Sequence, residues 1–104
     1  MTTIHDAIKQ LEQAQPKSEE EAKRFLSNLP AEVQEQLIAG IYIGRDHIHL
    51  NEFNEGAEIS RKATDHIAKN EYARILHEKS SSLPLYLGSL KKCAAAADFD
   101  LASL

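Results

Sequence analysis

The sequence predicts an all-α fold, a compact bundle of five to six helices packed at orthogonal or irregular angles around a central hydrophobic helix over about 30–44. Three observations predict it. Each sustained apolar pattern recurs at the i, i+3, i+4, i+7 spacing of a helix face. No stretch alternates in the way a half-buried strand requires. Serine, proline and glycine stand where helices would start and stop. With 104 residues, 42% hydrophobic and 27% charged, the chain has the size and composition of one globular domain. It divides into an N-terminal helical pair over 1–29, a core over 30–97 and a tail over 98–104 that frays or docks loosely.

The first helix is expected to start after Thr3, with Asp6 in the first turn, where a negative charge suits the helix dipole. Ile4, Ala7, Ile8 and Leu11 form its apolar face, and Gln15-Pro16 ends it. Ser18 to Glu21 reads as a capping box opening a second helix that buries Ala22, Phe25, Leu26 and Leu29. That role accounts for three consecutive acids without a partner-binding patch.

Pro30 suits the first position of a third helix, which needs no N–H there. This helix carries Val33, Leu37, Ile38, Ile41, Tyr42 and Ile43. Gly40 inside it costs about 1 kcal/mol against alanine and implies the close approach of another segment. Gly44 is read as the left-handed residue that terminates it. Asn51 then caps a fourth helix through Phe53, Ala57, Ser60, Ala63, Thr64 and Ile67. The stripe drifts on to Tyr72, Ile75 and Leu76, as one bent helix from 52 to 78 or two pieces meeting near Asn70. After Ser80-Ser81-Ser82, Pro84 begins a last helix through Leu87, Leu90, Cys93 and Ala94.

The formal net charge of −4 and the dispersal of basic residues among acids argue against a nucleic-acid partner. No run approaches the ~18 apolar residues of a membrane span, and the first residues lack the pattern of a signal peptide. A lone cysteine, Cys93, is expected to be a buried, inert thiol. The cytoplasm is the expected location. Neither a phosphate loop nor a nucleophile elbow is present, so no catalytic residue, metal or cofactor is assigned.

The connector Arg45-Asp46-His47-Ile48-His49 is the sharpest chemical candidate. In extended backbone His47 and His49 would point the same way, with Asp46 as a further ligand. The motif supplies too few ligands for a zinc site. A loop with the histidines in solvent, and Ile48 or Leu50 plugging the core, is the plainer reading. Arg45 after Gly44 suits a helix C-terminus, or an arginine fork for a carboxylate or phosphate. Tyr42, Tyr72 and Tyr86 sit in apolar stripes as core residues with one polar handle.

The helix end Leu37 to Asp46, the segment Tyr72 to Leu76 and the stretch Leu83-Pro84-Leu85-Tyr86-Leu87 together resemble a family of short bacterial proteins. It is the domain of unknown function 3775. Gly44-Arg45 and Tyr86-Leu87 are its most specific points. This chain departs from the family in a longer stretch from His77 to Ser82, and in Gly88-Ser89 where acids are usual. The resemblance implies a bacterial, helical, cytosolic protein and carries no activity. The leading functional expectation is therefore an interaction or regulatory module, a homodimer whose interface includes Ile41, Tyr42 and Ile43. The alternative is a small enzyme or a ligand or metal binder centred on Arg45, Asp46, His47 and His49.

Overall fold

The third predicted helix is the axis of the molecule. In the computed structural model, which describes residues 2–104, it runs Ala31–Asp46 as α3. Leu37, Ile38, Ala39 and Ile41 are wholly buried, and Val33, Gly40, Ile43 and Gly44 are buried on other sides. A helix buried nearly all round must be wrapped by others. Around it lie α1 (Ile4–Gln13), α2 (Glu19–Ser27), α4 (Tyr72–Glu78) and α5 (Leu83–Ala96). Short 3-10 turns occupy Arg61–Thr64, Lys69–Glu71, Ser80–Ser82 and Leu101–Ser103. The described residues are all-helical, without a strand, and pack as a five-helix bundle. α5 lies along α3, α1 covers both, and α2 packs on α4. None of the described helices is long and apolar enough to cross a membrane. Met1 lies outside the described residues.

The helix starts follow the local chemistry. The Thr3 hydroxyl accepts the Asp6 N–H at 3.3 Å, and the Asp6 carboxylate accepts the Thr3 N–H at 3.1 Å. At the second start, the Ser18 hydroxyl accepts the Glu21 N–H at 3.1 Å, without a return bond from the Glu21 side chain. Pro30 caps α3 from just outside instead of occupying its first turn.

Two helix ends differ from expectation. α3 continues two residues past Gly44, so this glycine is helical and serves packing (below). α5 ends instead at a non-glycine left-handed residue, Asp98, with φ at 54°. The Phe99 N–H reaches the Ala94 carbonyl at 2.8 Å and the Asp98 N–H the Ala95 carbonyl at 3.2 Å, the pairing of a Schellman end. Because an L side chain is disfavoured there, Asp98→Gly is expected to stabilise the chain by about 1 kcal/mol in thermal denaturation. An unchanged or lower midpoint would contradict that reading.

The tail after α5 does not fray. Leu101 and Leu104 are buried, and the Gln36 side chain of α3 donates to the main-chain oxygens of Ala102, at 3.0 Å, and Leu104, at 3.4 Å. Asp100 caps the last turn by accepting the Ala102 N–H at 3.0 Å and also meets the His5 ring at 3.0 Å.

These caps imply a pH dependence. The Thr3 main-chain N–H, then its hydroxyl, holds Asp6 below the usual aspartate value, and the Ala102 N–H, then His5, does the same for Asp100. A carboxyl lowered by folding stabilises the folded chain in full above its unfolded value, 3.8, and loses that contribution as pH falls through its lower folded value. Asp6→Asn and Asp100→Asn are therefore expected to lower the melting temperature at pH 7. The gap from the parent should narrow as pH falls below 3.8 and through the lower folded values.

The largest departure is the predicted fourth helix. Residues 47–60 form an irregular connector, and regular turns resume only at Arg61–Thr64. Asn51, Asn54 and Gly56 are poor helix formers, and Gly56 has φ at 83°. The Asn54 N–H, which a helix would direct back along the chain, is taken by the His47 ring. Arg61 then draws the chain back onto α3 through Glu35, at 3.1 Å. Neither division of 52–78 holds: only Tyr72–Glu78 is α-helical, preceded by the 3-10 turns Arg61–Thr64 and Lys69–Glu71.

Candidate ligand-binding cleft

The structure separates the residues of the histidine connector. Arg45 and Asp46 form the exposed last turn of α3, their side chains 3.7 Å apart. The Arg45 guanidinium carbon lies 4.7 Å from the Tyr42 ring centroid, and the Lys79 ammonium 5.1 Å from the same centroid. Arg45 is thus a helix-end cation stacked on an aromatic ring. His47 turns inward and is 3% exposed. Its Nδ1–H donates to the Ile43 carbonyl at 2.7 Å and its Nε2 accepts the Asn54 N–H at 3.0 Å. Both nitrogens are occupied, which leaves no lone pair for a metal. His49 faces solvent on the other side of the turn. The plainer loop reading is corrected too, since the buried group is a histidine while Ile48 and Leu50 are only half-buried. Among the described residues no group of three histidine, cysteine, aspartate or glutamate side chains could hold a metal ion.

The expected interface residues are also placed otherwise. Ile41 is wholly buried and Ile43 is 3% exposed, both inside the chain's own core. The chain's own core, in which α5 packs along α3, takes up the two side chains that a partner was expected to cover. Tyr42 is half-buried under its two cations, and Leu85 is the one large exposed apolar side chain among the described residues. Cys93 is buried, its thiol 3.9 Å from the Leu50 carbonyl.

A cleft of about 570 Å³ opens where the chain returns from the connector to α4. That volume is within the range of small-molecule sites. α3 supplies Glu35, the 3-10 turn supplies Arg61, Lys62 and Thr64, the start of α4 supplies Tyr72, and Ser103 and Leu104 close one end. This geometry follows from the broken helix. A continuous helix over 52–78 would have laid its side chains flat on α3, whereas the return at Arg61 and the new start at Tyr72 leave a gap.

Thr64 and Tyr72 are each only 4% exposed. Neither hydroxyl makes a hydrogen bond to a described residue, yet every fully buried side-chain nitrogen and oxygen among those residues has a partner. The two hydroxyls therefore keep some contact with solvent, and both residues line this cleft. Burial, and then the Glu35 carboxylate, raises the Tyr72 phenol above its ordinary value, so it stays an O–H donor. Glu35 itself is paired with Arg61, which also lies 3.9 Å from Glu32.

A groove of similar size, about 590 Å³, runs between α1 and α5. Its carboxylate is already engaged, Glu12 by Lys91 at 2.6 Å, and its His5 ring meets Asp100 at 3.0 Å. The cleft at Tyr72 is the one whose buried residues Thr64 and Tyr72 keep hydroxyls that make no hydrogen bond to a described residue.

No protein-family profile, curated protein or solved structure matches this chain. The cleft residues were visible in the sequence only as members of an apolar stripe. The signal available was the drift of that stripe between Ile67 and Tyr72, where one helix could not keep both on one face.

Proposed function

We propose that the chain is a non-catalytic regulatory module that takes up a small polar molecule in the cleft between α3 and residues 60–72. One observation carries this reading: Tyr72 and Thr64 are buried residues lining the cleft, and their hydroxyls have no hydrogen-bond partner among the described residues. Groups in that position can donate to a ligand without giving up a hydrogen bond to a described residue. The cleft is lined by no histidine or cysteine, and its arginine is committed to Glu35, so binding is better supported than catalysis.

Tyr72→Phe tests it. The substitution removes no hydrogen bond among the described residues, so stability is expected to stay within about 0.5 kcal/mol of the parent. A nitrogen-15 NMR fragment screen on the parent should shift amides of residues 60–72, and the phenylalanine variant should need several-fold more ligand for the same shifts. A screen that leaves those amides unmoved would refute the proposal.

On this reading the chain acts as a monomer, since the face that favoured a homodimer is spent on its own core. Light scattering is expected to return a mass near 11.6 kDa. A stable dimer would return the interaction reading to the front. Membership of the small bacterial family named above is proposed on the same footing. Its two most specific points, Gly44-Arg45 and Tyr86-Leu87, meet in the structure where Gly44 packs against the Tyr86 carbonyl.

A further inference from the structure

The cleft offers more than two hydroxyls, and the balance of its groups says what they would bind. Glu35 is answered by Arg61 at 3.1 Å, so neither contributes a full charge to a newcomer. Lys62 and Lys69 line the cleft, are exposed, and form no ion pair with a described residue. Ser103 adds a third hydroxyl to those of Thr64 and Tyr72. Against these donors stands one carboxylate without an ion-pair partner among the described residues, Asp65, exposed at the rim. Ammonium groups only donate, and a phenol donates far better than it accepts.

We infer that the molecule taken up in this cleft carries an oxyanion, a carboxylate or a phosphate monoester, set between Lys62, Lys69 and the Tyr72 and Thr64 hydroxyls. The inference rests on the ligand-binding reading above. An anionic oxygen accepts several hydrogen bonds at once and forms the stronger, charge-assisted kind with the two lysines. Ile67 and Leu104 supply apolar wall for a short carbon chain behind the anionic group. Carboxylate and phosphate share this chemistry, and the experiment separates them.

The test titrates the full nitrogen-15-labelled chain, at constant ionic strength, with four probes that share one butyl chain. They are butyrate, butyl phosphate, butylammonium and butanol. Either anion, or both, is expected to shift amides of residues 60–72 more strongly than the amine or the alcohol, and the better anion identifies the class. Lys62→Gln with Lys69→Gln is expected to weaken that anion about tenfold or more, the loss of one charge-assisted hydrogen bond or its equivalent. Tyr72→Phe should weaken it several-fold with the melting temperature unchanged. If butylammonium or butanol binds the cleft as well as the anions do, the oxyanion inference fails while the ligand-binding reading stands. If none of the four moves those amides, or the anions move only others, both fail.

Discussion

Replacing Gly44 by alanine is expected to cost about 3 kcal/mol, the upper end of what overpacking does to a core. A Cβ at this position would stand 2.1 Å from the Tyr86 carbonyl oxygen, 2.9 Å from its carbon and 3.3 Å from the Leu90 Cβ. The first two atoms are backbone of α5 and cannot rotate away. The helices must separate, and every contact between the two longest helices then loosens together. Two other glycines supply the comparison. At Gly40 the obstacle is the Leu90 Cδ2 at 2.8 Å, the far end of a side chain that can turn, so Gly40→Ala should cost about 1 kcal/mol or less. At Gly88 nothing lies within 4 Å, and Gly88→Ala should stabilise α5 by about 1 kcal/mol of helix propensity. Urea denaturation of the three variants checks the order. A Gly44→Ala chain as stable as the Gly88→Ala chain would show that α3 and α5 do not meet as described.

The second large effect is expected at His47. His47→Ala removes the ring that bridges the Ile43 carbonyl to the Asn54 N–H, and with it the edge contact to Phe53 at 5.4 Å between centroids. Two main-chain groups lose their partners and a buried space opens, together about 3 kcal/mol. The loss should be local before it is global. Residues 48–60 hold few other main-chain hydrogen bonds, chiefly Leu50 to His47 at 2.9 Å and Ala57 to Asn54 at 3.1 Å. Hydrogen exchange should therefore show the Asn54 and Leu50 amides exposed first, with α1 and the middle of α3 still protected. His49→Ala, at an exposed position two residues on, should change stability by less than about 0.5 kcal/mol. Equal effects at the two histidines would contradict the inward and outward placement.

That pair shows why the candidate site was only partly legible. A His-x-His spacing places two side chains on one side of extended backbone, but here the backbone is leaving a helix, and the same spacing sends them apart. The residue that turned inward is also held by a long-range contact with Ser89. Its hydroxyl donates to the His47 carbonyl at 2.8 Å from a residue 42 positions away. Thr64 and Tyr72 were likewise readable as half-apolar residues, but the gap between them exists only because Arg61 reaches Glu35, 26 positions back.

What the sequence by itself determined was local. The hydroxyls of Thr3 and Ser18 start helices because each can reach an N–H three residues on, and the apolar spacing from Val33 to Ile43 makes α3 the buried axis. These interactions lie within one turn of chain and form wherever the chain folds. The tertiary structure alone decided the path from His47 to Tyr72, the docking of Leu101 and Leu104, and the purpose of Gly44. The connector has weak helix propensity, so a few long-range hydrogen bonds outweigh it. A glycine near a helix end serves equally for a left-handed turn or for a close approach, and only the position of α5 distinguishes them. The face from Ile41 to Ile43 was expected to meet a partner, whereas Ile41 and Ile43 lie in the chain's own core, because what covers a face is a question of distance in space, not along the chain.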